Sequence, residues 1–185
     1  MRAQLKKFIA AMDENSIAII PAAHEATRSY DTEFKFHQDP DFLYLTGFPE
    51  PDAIAVIDPA AKKPFTLYVR PRDPLMETWY GRRQGVEGAV KNYGAEKAFS
   101  IDKFAADLAK MLDGHDVLYY RFSVDKALDQ QVLAYLAGQR VRRAGNPRPR
   151  SERLGVRLDL REFVQHLVKS GGEVVAVVDG VGRRH

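Results

Sequence analysis

The chain has 185 residues, which suits one large domain or two small ones, and a chain of this length can bury roughly 70% of the surface that its unfolded form exposes. It contains no cysteine, so disulfides, zinc sites with thiolate ligands and cysteine nucleophiles are excluded. With a net charge of +3, no apolar run near the ~20 residues of a membrane span and no secretory signal among its first residues, it is predicted to be soluble and cytoplasmic, without a membrane partner.

The first half of the chain predicts a helix, a strand and a hairpin. Apolar residues recur every three or four positions within residues 2–13, which predicts an amphipathic helix. The isoleucine-rich run at residues 16–20 ends at a proline and predicts a buried strand. Two β-rich runs, at residues 53–57 and 65–69, are joined by a proline-containing turn and predict an antiparallel hairpin.

The second half predicts helices that alternate with strands. Residues 101–112 show helical spacing, and residues 117–120 predict a strand. Ser123 is expected to cap a further helix that continues to Leu136, with Gly138 beyond its end. Because the early hairpin requires antiparallel pairing and the later crossovers permit parallel pairing, the predicted fold is α/β, a mixed β-sheet flanked by helices.

Residues 138–157 are predicted to form a basic connector, because they combine proline and glycine with many arginines and lack periodicity. The arginines crowded in and around this segment are Arg140, Arg142, Arg143, Arg148, Arg150, Arg153, Arg157 and Arg161. The cluster has no interleaved aromatic residues and is accompanied by Glu152 and Asp159, so a solvated connector is preferred to a nucleic-acid contact. After it, residues 158–168 predict one more helix, and residues 174–178 fit either a strand or a frayed end.

An aromatic-rich block runs from Arg28 to Phe48 and continues into Pro49-Glu50-Pro51-Asp52-Ala53. Its aromatic residues are predicted to pack in the core, and they are Phe34, Phe36, Phe42, Tyr44 and Phe48. Its aspartates are predicted to cap loops rather than to catalyse, and they are Asp31, Asp39 and Asp41. Arg28 is expected to form a structural ion pair with Asp31 or Glu33, or else a subunit contact.

A second block follows Arg70 and Arg72-Asp73, and it reads Glu77-Thr-Trp79-Tyr-Gly81-Arg-Arg-Gln-Gly85. Together the two blocks resemble the N-terminal domain of aminopeptidase P, the Xaa-Pro aminopeptidases of the creatinase/prolidase-type peptidase family. The resemblance covers residues 1–170 and implies the fold of that N-terminal domain.

The chain departs from the family pattern in two places. His37 stands where relatives usually carry an arginine, so a contact made by that arginine would be weakened or made pH-sensitive. Gly171-Gly172 replaces the usual start of the first helix of the catalytic domain. Residues 171–185 are therefore interpreted as the truncated or degenerate start of a missing catalytic domain.

The resemblance implies a peptidase that removes the N-terminal residue preceding proline. It also implies a second, pita-bread domain that binds two manganese ions through two Asp, one His and two Glu. That domain would begin near Ser170, so the chain is expected to contain no catalytic residue and no metal ligand, to hold no cofactor of its own and to be inactive alone. Its five histidines are scattered and form no His-Glu-x-x-His motif, so no separate metal site is predicted.

Trp79 is the single tryptophan and is predicted to lie on a surface loop beside Gly81. In tetrameric relatives the matching tryptophan reaches the active site of an adjacent subunit. The resemblance therefore implies that Trp79 lines a peptide-binding pocket in trans. The alternative is partial burial against Tyr80 or the sheet, and both readings stay open.

Two functions follow from these observations. The first is a non-catalytic domain of a Xaa-Pro aminopeptidase, with a role in oligomerisation and in shaping the substrate site. Its expected partners are other copies of the chain or a catalytic domain, together with a peptide that carries proline at its second position. The alternative is a stand-alone module that binds peptide or protein ends, as in histone-chaperone relatives that have lost peptidase chemistry.

Overall fold

The computed structural model describes residues 2–30, 32–145, 155–157 and 164–165. Its helices are α1 (Ala3–Ala11), α2 (Pro40–Thr46), α3 (Pro74–Tyr80), α4 (Gly85–Tyr93), α5 (Phe104–Leu112), which a 3₁₀ turn at Ile101–Lys103 precedes, and α6 (Lys126–Gly145). Its strands are β1 (Ser16–Pro21), β2 (Thr27–Ser29), β3 (Thr32–Glu33), β4 (Ile54–Ile57), β5 (Phe65–Val69), β6 (Lys97–Ser100), β7 (Val117–Tyr120) and β8 (Gly155–Arg157).

Six strands form one mixed sheet in the order β6-β5-β4-β1-β7-β8, while β2 and β3 form a separate two-stranded ribbon. β1 pairs with β4 and β4 with β5 in antiparallel fashion, whereas the pairs β5–β6, β1–β7 and β7–β8 are parallel. The predicted hairpin, the strand at residues 117–120 and the mixed α/β architecture are therefore confirmed.

The sheet is covered by helices on both faces, because its central strand is apolar on both sides. Every residue of β1 is buried, and its isoleucines alternate between two core clusters, with Ile17 and Ile19 in one and Ile20 in the other. Side chains of α1, α2 and α4 fill the first face, and side chains of α5 and α6 fill the second. Burying one such isoleucine stabilises the fold by about 1.5–3 kcal/mol.

Strand directions bring several chain segments to one edge of the sheet. β1, β5, β6, β7 and β8 all run the same way, and β4 runs against them, so five strands end where β4 begins. This carboxyl edge carries the loop after β1, the approach to β4, the segment after β5 and the segment after β7. Such edges are where open α/β sheets usually place their ligands.

The end of the chain differs from the predicted basic connector. The helix expected to stop at Leu136 continues to Gly145, and part of the predicted connector forms β8 beside β7. A single glycine costs a helix only about 1 kcal/mol, and the residues after Gly138 are mostly good helix formers, so Gly138 does not end α6. The predicted elements at residues 158–168 and 174–178 fall, apart from residues 164–165, outside the described residues.

The start of α6 also differs from its prediction. Asp125, not Ser123, caps the helix, since its Oδ1 accepts hydrogen bonds from the backbone N–H groups of Ala127 at 2.9 Å and Leu128 at 3.0 Å. A carboxylate two or three residues ahead of these N–H groups is well placed to satisfy them.

Within the described ranges, no helix combines the length and apolarity needed to cross a bilayer.

Candidate functional site

Trp79 lies on the short helix α3, not on a loop as the sequence predicted. Asp73 and Pro74 explain the difference, because Asp73 Oδ1 accepts a hydrogen bond from Leu75 N at 3.1 Å and Pro74 takes the first helical position. Trp79 is 83% exposed, so it is not packed against the sheet. Leu75, one turn earlier, is 82% exposed and shares a helix face with Trp79.

An ion pair joins α3 to the short segment that leads into it from β5. The Arg72 guanidinium donates two hydrogen bonds to the Glu77 carboxylate, from Nε to Oε1 at 2.8 Å and from Nη2 to Oε2 at 2.7 Å. This is a bidentate arginine–carboxylate ion pair, in which two parallel hydrogen bonds fix the relative orientation of the two side chains. The hydrogen bond from Arg72 holds the pKa of Glu77 below its ordinary value. Trp79 therefore lies two residues after a helix position that is paired with the segment preceding the helix.

The ribbon of β2 and β3 carries two further exposed aromatic residues. Tyr30 is fully exposed at its turn and has a positive φ of 44°, and Phe34 is 58% exposed. The prediction that Phe34 packs in the core is wrong, because the ribbon stands apart from the main sheet and offers no core to fill. Phe42 and Phe48 are fully buried, as predicted.

Of the remaining aromatic residues in the block, Tyr44 is partly buried and packs against the first core cluster, and Phe36 is half-buried. Tyr30, Phe34, Leu75 and Trp79 are together called the exposed apolar set below.

The aspartates of the first block hold α2 in place. Asp39 caps α2 by accepting from the N–H groups of Asp41 and Phe42, both at 3.0 Å, which confirms its predicted capping role. Asp41 lies in the first turn and pairs with Arg121 Nη1 at 2.9 Å. Arg121 also contacts Asp39, so the segment after β7 is tied to the start of α2. Asp31 lies outside the described residues, and its predicted capping and pairing with Arg28 stay predictions.

His24, just after β1, bridges two carboxylates. Its Nδ1 is 2.7 Å from Asp52 Oδ1 and its Nε2 is 3.1 Å from Asp125 Oδ2. Both contacts are hydrogen bonds only when the imidazole is protonated, because a neutral ring donates from a single nitrogen. Partial burial lowers the pKa of His24, but the hydrogen bonds and charges of Asp52 and Asp125 outweigh it and raise the pKa above its ordinary value.

Arg70 extends this arrangement toward the ribbon. Its Nη1 is 3.2 Å from Glu25 Oε2 and 3.3 Å from Asp52 Oδ2. His24, Glu25, Asp52, Arg70 and Asp125 are called the His24 network from here on. The network links the ends of β1 and β5 to the start of β4 and to α6.

Sequence reasoning did not find the His24 network, because its members are up to about a hundred positions apart and meet only once the strands are ordered. One sequence signal could have indicated part of the network, namely the positions of its residues relative to the predicted strands. His24 and Arg70 follow predicted strands, and Asp52 precedes one, so the strand directions place all three at the carboxyl edge.

The histidines do not converge on a metal site in the part of the chain that the structure describes. No three His, Asp or Glu side chains there lie close enough to hold a metal ion. His115 has its own carboxylate neighbour, Asp58, at 3.4 Å, and His166 and His185 fall outside the described residues. The manganese pair that the resemblance implies does not fit these residues, so no chemical step is assigned to a metal in this chain.

Comparison with known proteins gives one consistent answer. The family model described as aminopeptidase P, N-terminal domain, matches residues 1–119. A Xaa-Pro aminopeptidase of Haemophilus influenzae is 39% identical over 115 residues, which are 62% of this chain and 27% of that protein.

Solved structures agree with the sequence comparison. Aminopeptidase PepP of Pseudomonas aeruginosa superimposes with a TM-score of 0.73 at 36% identity, covering 84% of this chain and 35% of that one. Aminopeptidase P from E. coli superimposes with a TM-score of 0.74 at 31% identity, covering 87% and 36%. The chain therefore spans roughly a third or less of the length of these relatives.

Proposed function

The chain belongs to the family of aminopeptidase P N-terminal domains, and from this membership we propose that it serves as the non-catalytic domain of a Xaa-Pro aminopeptidase. In this proposal the chain shapes the substrate site and supports oligomerisation. The substrate class follows from the names of the relatives, and it is a peptide with proline at its second position.

The observation that carries the proposal is the exposure of Trp79 on the helix α3. An indole that is 83% exposed leaves a large apolar surface in water, and such side chains are enriched where proteins bind partners. The Arg72–Glu77 pair favours the helical conformation of α3, so less of that helix has to be ordered when the indole binds a partner. A proline ring is a suitable apolar partner for such a surface.

Bond cleavage is assigned to the catalytic domain that the resemblance implies, with two manganese ions as its cofactors. This chain contributes a binding surface, and alone it is expected to be inactive. Its required partner is a catalytic domain, either in the same polypeptide or in a neighbouring subunit.

The proposal is tested with a chimera in which this chain replaces the corresponding N-terminal part of the E. coli relative. Trp79→Ala in the chimera should lower kcat/KM for a Xaa-Pro tripeptide about tenfold, the effect of losing about 1.4 kcal/mol of binding in the transition state. Trp79→Phe should retain most of the activity, because a phenyl ring keeps much of the apolar contact.

Leu133→Ala is the matched control, because Leu133 is also exposed but lies on α6. This variant should leave kcat/KM unchanged. Equal kcat/KM for the chimera with and without Trp79 would remove the proposed substrate contact.

Oligomerisation is a separate part of the proposal. The exposed apolar set offers side chains that a subunit interface would cover. Sedimentation velocity on the purified chain over a range of concentrations measures whether it self-associates, and a monomer at all concentrations would oppose this role. The cytoplasmic location stays a prediction of the sequence that cell fractionation tests.

The alternative function is a stand-alone module that binds peptide or protein ends. Exposure of Tyr30 and Phe34 favours it, because these aromatic residues lie on a ribbon separate from α3. The two functions differ in their requirement for a catalytic domain. Saturable binding of Xaa-Pro peptides by the chain alone would favour the module, and binding only in the chimera would favour the aminopeptidase domain.

A further inference from the structure

A cavity of about 250 Å³ opens next to His24, between the carboxyl edge of the sheet and the first turns of α5 and α6. It is formed by the start of β4, the 3₁₀ turn and the two helix beginnings, and no member of the exposed apolar set lines it. The cavity is therefore separate from the proposed substrate surface around Trp79. It is also smaller than the ~300–1,000 Å³ typical of sites for drug-sized ligands.

The floor of the cavity is apolar. Ile54, Phe104 and Leu128 line it, and each is at least nine-tenths buried in the fold. They belong to the second core cluster, which fixes their positions. A ligand that enters would meet a rigid hydrocarbon surface, and removing a compact apolar group from water onto such a surface is favourable.

The rim of the cavity is acidic. Asp52, Asp102 and Asp125 all line it, and so does His24, which contacts Asp52 and Asp125. Arg70 contacts Asp52 from the side of the ribbon and is shared with Glu25. Asp102 accepts a hydrogen bond from the Ser100 hydroxyl at 2.8 Å. With Glu25 counted, four carboxylates face Arg70 and His24, so the rim keeps a negative balance that favours a cation.

We propose that this cavity binds a small organic cation, an amine with a compact apolar body, whose hydrocarbon lies on Ile54, Phe104 and Leu128 and whose ammonium group faces the carboxylates of the rim. His24 competes with the ligand, because its protonated ring occupies oxygens of Asp52 and Asp125. The proposal does not depend on Trp79 or on peptidase activity.

The probe is cyclohexylmethylamine, with cyclohexylmethanol as the uncharged counterpart of the same shape. Titration of the full chain, followed by NMR chemical shifts, should give a Kd on the order of 1 mM for the amine, as expected for a ligand of about eight heavy atoms. The alcohol should bind at least tenfold more weakly. Equal binding of the two compounds, or no saturation by either, would overturn the proposal.

Variants separate the rim from the floor. Asp125→Asn keeps an oxygen that can cap α6 and removes one charge, and it should weaken amine binding at least threefold. Asp102→Asn should weaken binding similarly without touching a helix cap. Ala105→Leu places a larger side chain at the cavity and should weaken amine and alcohol alike. Asp113→Asn, an exposed aspartate away from the cavity, is the control and should bind the amine as the wild type does.

The pH dependence of amine affinity shows whether protonated His24 competes with the amine for the carboxylates of the rim. The groups facing His24 are Asp52 and Asp125, with Asp102 on the rim and Arg70 and Glu25 behind Asp52. Amine affinity should rise severalfold from pH 6 to pH 8.5, as His24 loses its proton while the amine keeps its charge. His24→Gln should abolish this rise, and an unchanged profile in that variant would refute the competition.

Discussion

Gln38 joins three parts of the backbone near the carboxyl edge. Its Oε1 accepts hydrogen bonds from Ala23 N and Asp39 N, both at 2.8 Å, and its Nε2 donates to Glu50 O at 2.8 Å. The side chain thus connects the loop after β1, the start of α2 and the approach to β4. This gives the first sequence block a structural reason for a glutamine at this position.

Replacing Gln38 by alanine should lower the free energy of unfolding by about 2–3 kcal/mol, because part-buried backbone groups lose their partners. Urea denaturation of the full chain measures this change. Gln130→Ala on the exposed side of α6 is the control and should change stability by less than about 0.5 kcal/mol. A loss at Gln38 as small as at the control would contradict the role described.

His24 should make stability depend on pH. The pKa of His24 is raised in the folded chain above its unfolded value of 6.5, so its bridge stabilises the fold fully below that value and is lost as pH rises through the folded pKa. Comparing the free energies of unfolding of wild type and His24→Gln at pH 5.5 and pH 8.5 tests this. The wild type should exceed the variant at pH 5.5, and the difference should shrink at pH 8.5. A difference that stays constant with pH would contradict the bridge.

At the scale of elements, three Asp-Pro pairs show what local sequence can and cannot predict. Asp39-Pro40 and Asp73-Pro74 begin α2 and α3, with aspartate as the cap and proline in the first turn. Asp58-Pro59 makes the same first contact, since Asp58 Oδ1 accepts from Ala60 N at 3.0 Å, yet only a turn follows. Pro64 lies five residues beyond Pro59, and a proline disfavours helical backbone at the residue that precedes it. A helix that began at Pro59 could therefore not continue through Pro64.

The longer or strongly apolar elements were predictable because periodicity shows clearly in them. α1, β1, the β4–β5 hairpin and β7 all appear close to their predicted bounds. The helices α2 and α3 have seven residues each and were missed, because so short a segment shows little helical period and depends on its caps. For the same reason Trp79 was assigned to a loop. α4 was missed although it has nine residues, as α1 and α5 do, because Gly85 and Gly88 are poor helix formers.

Two glycines should respond to alanine with opposite signs. Gly47 ends α2 with a φ of 67°, a left-handed conformation that strains any residue with a Cβ, so Gly47→Ala should lower the free energy of unfolding by about 1–2 kcal/mol. Gly138 lies inside α6 with open space around it, so Gly138→Ala should raise stability by about 0.5–1 kcal/mol. Denaturant titration measures both. A loss at Gly138 would contradict the continuation of α6 beyond this residue.

Removing the indole of Trp79 should leave the fold intact. Trp79→Ala should change Tm by less than about 2 °C, because the side chain is exposed and carries little of the core. Phe48→Ala is the contrasting variant, since Phe48 is fully buried and its loss costs about 3–5 kcal/mol. Thermal unfolding followed by circular dichroism compares them. A large fall in Tm for Trp79→Ala would show that this residue is packed inside.

At the scale of the whole molecule, the fold class followed from the sequence because a hairpin and alternating helices and strands leave few arrangements other than a mixed, helix-covered sheet. The candidate site followed only in part. The resemblance singled out Trp79, but the His24 network needs the strand order β5-β4-β1-β7, which no local pattern encodes. Asp125 illustrates this, since it meets His24 only because β7 lies beside β1 and α6 begins at the same edge.

The most direct test of the account is hydrolysis of a Xaa-Pro tripeptide with added manganese, measured side by side for the purified chain and for the chimera with the E. coli catalytic domain. We predict that turnover appears only in the chimera. Turnover by the chain alone would contradict a non-catalytic role, and a folded, manganese-bound chimera without turnover would contradict its place in a Xaa-Pro aminopeptidase.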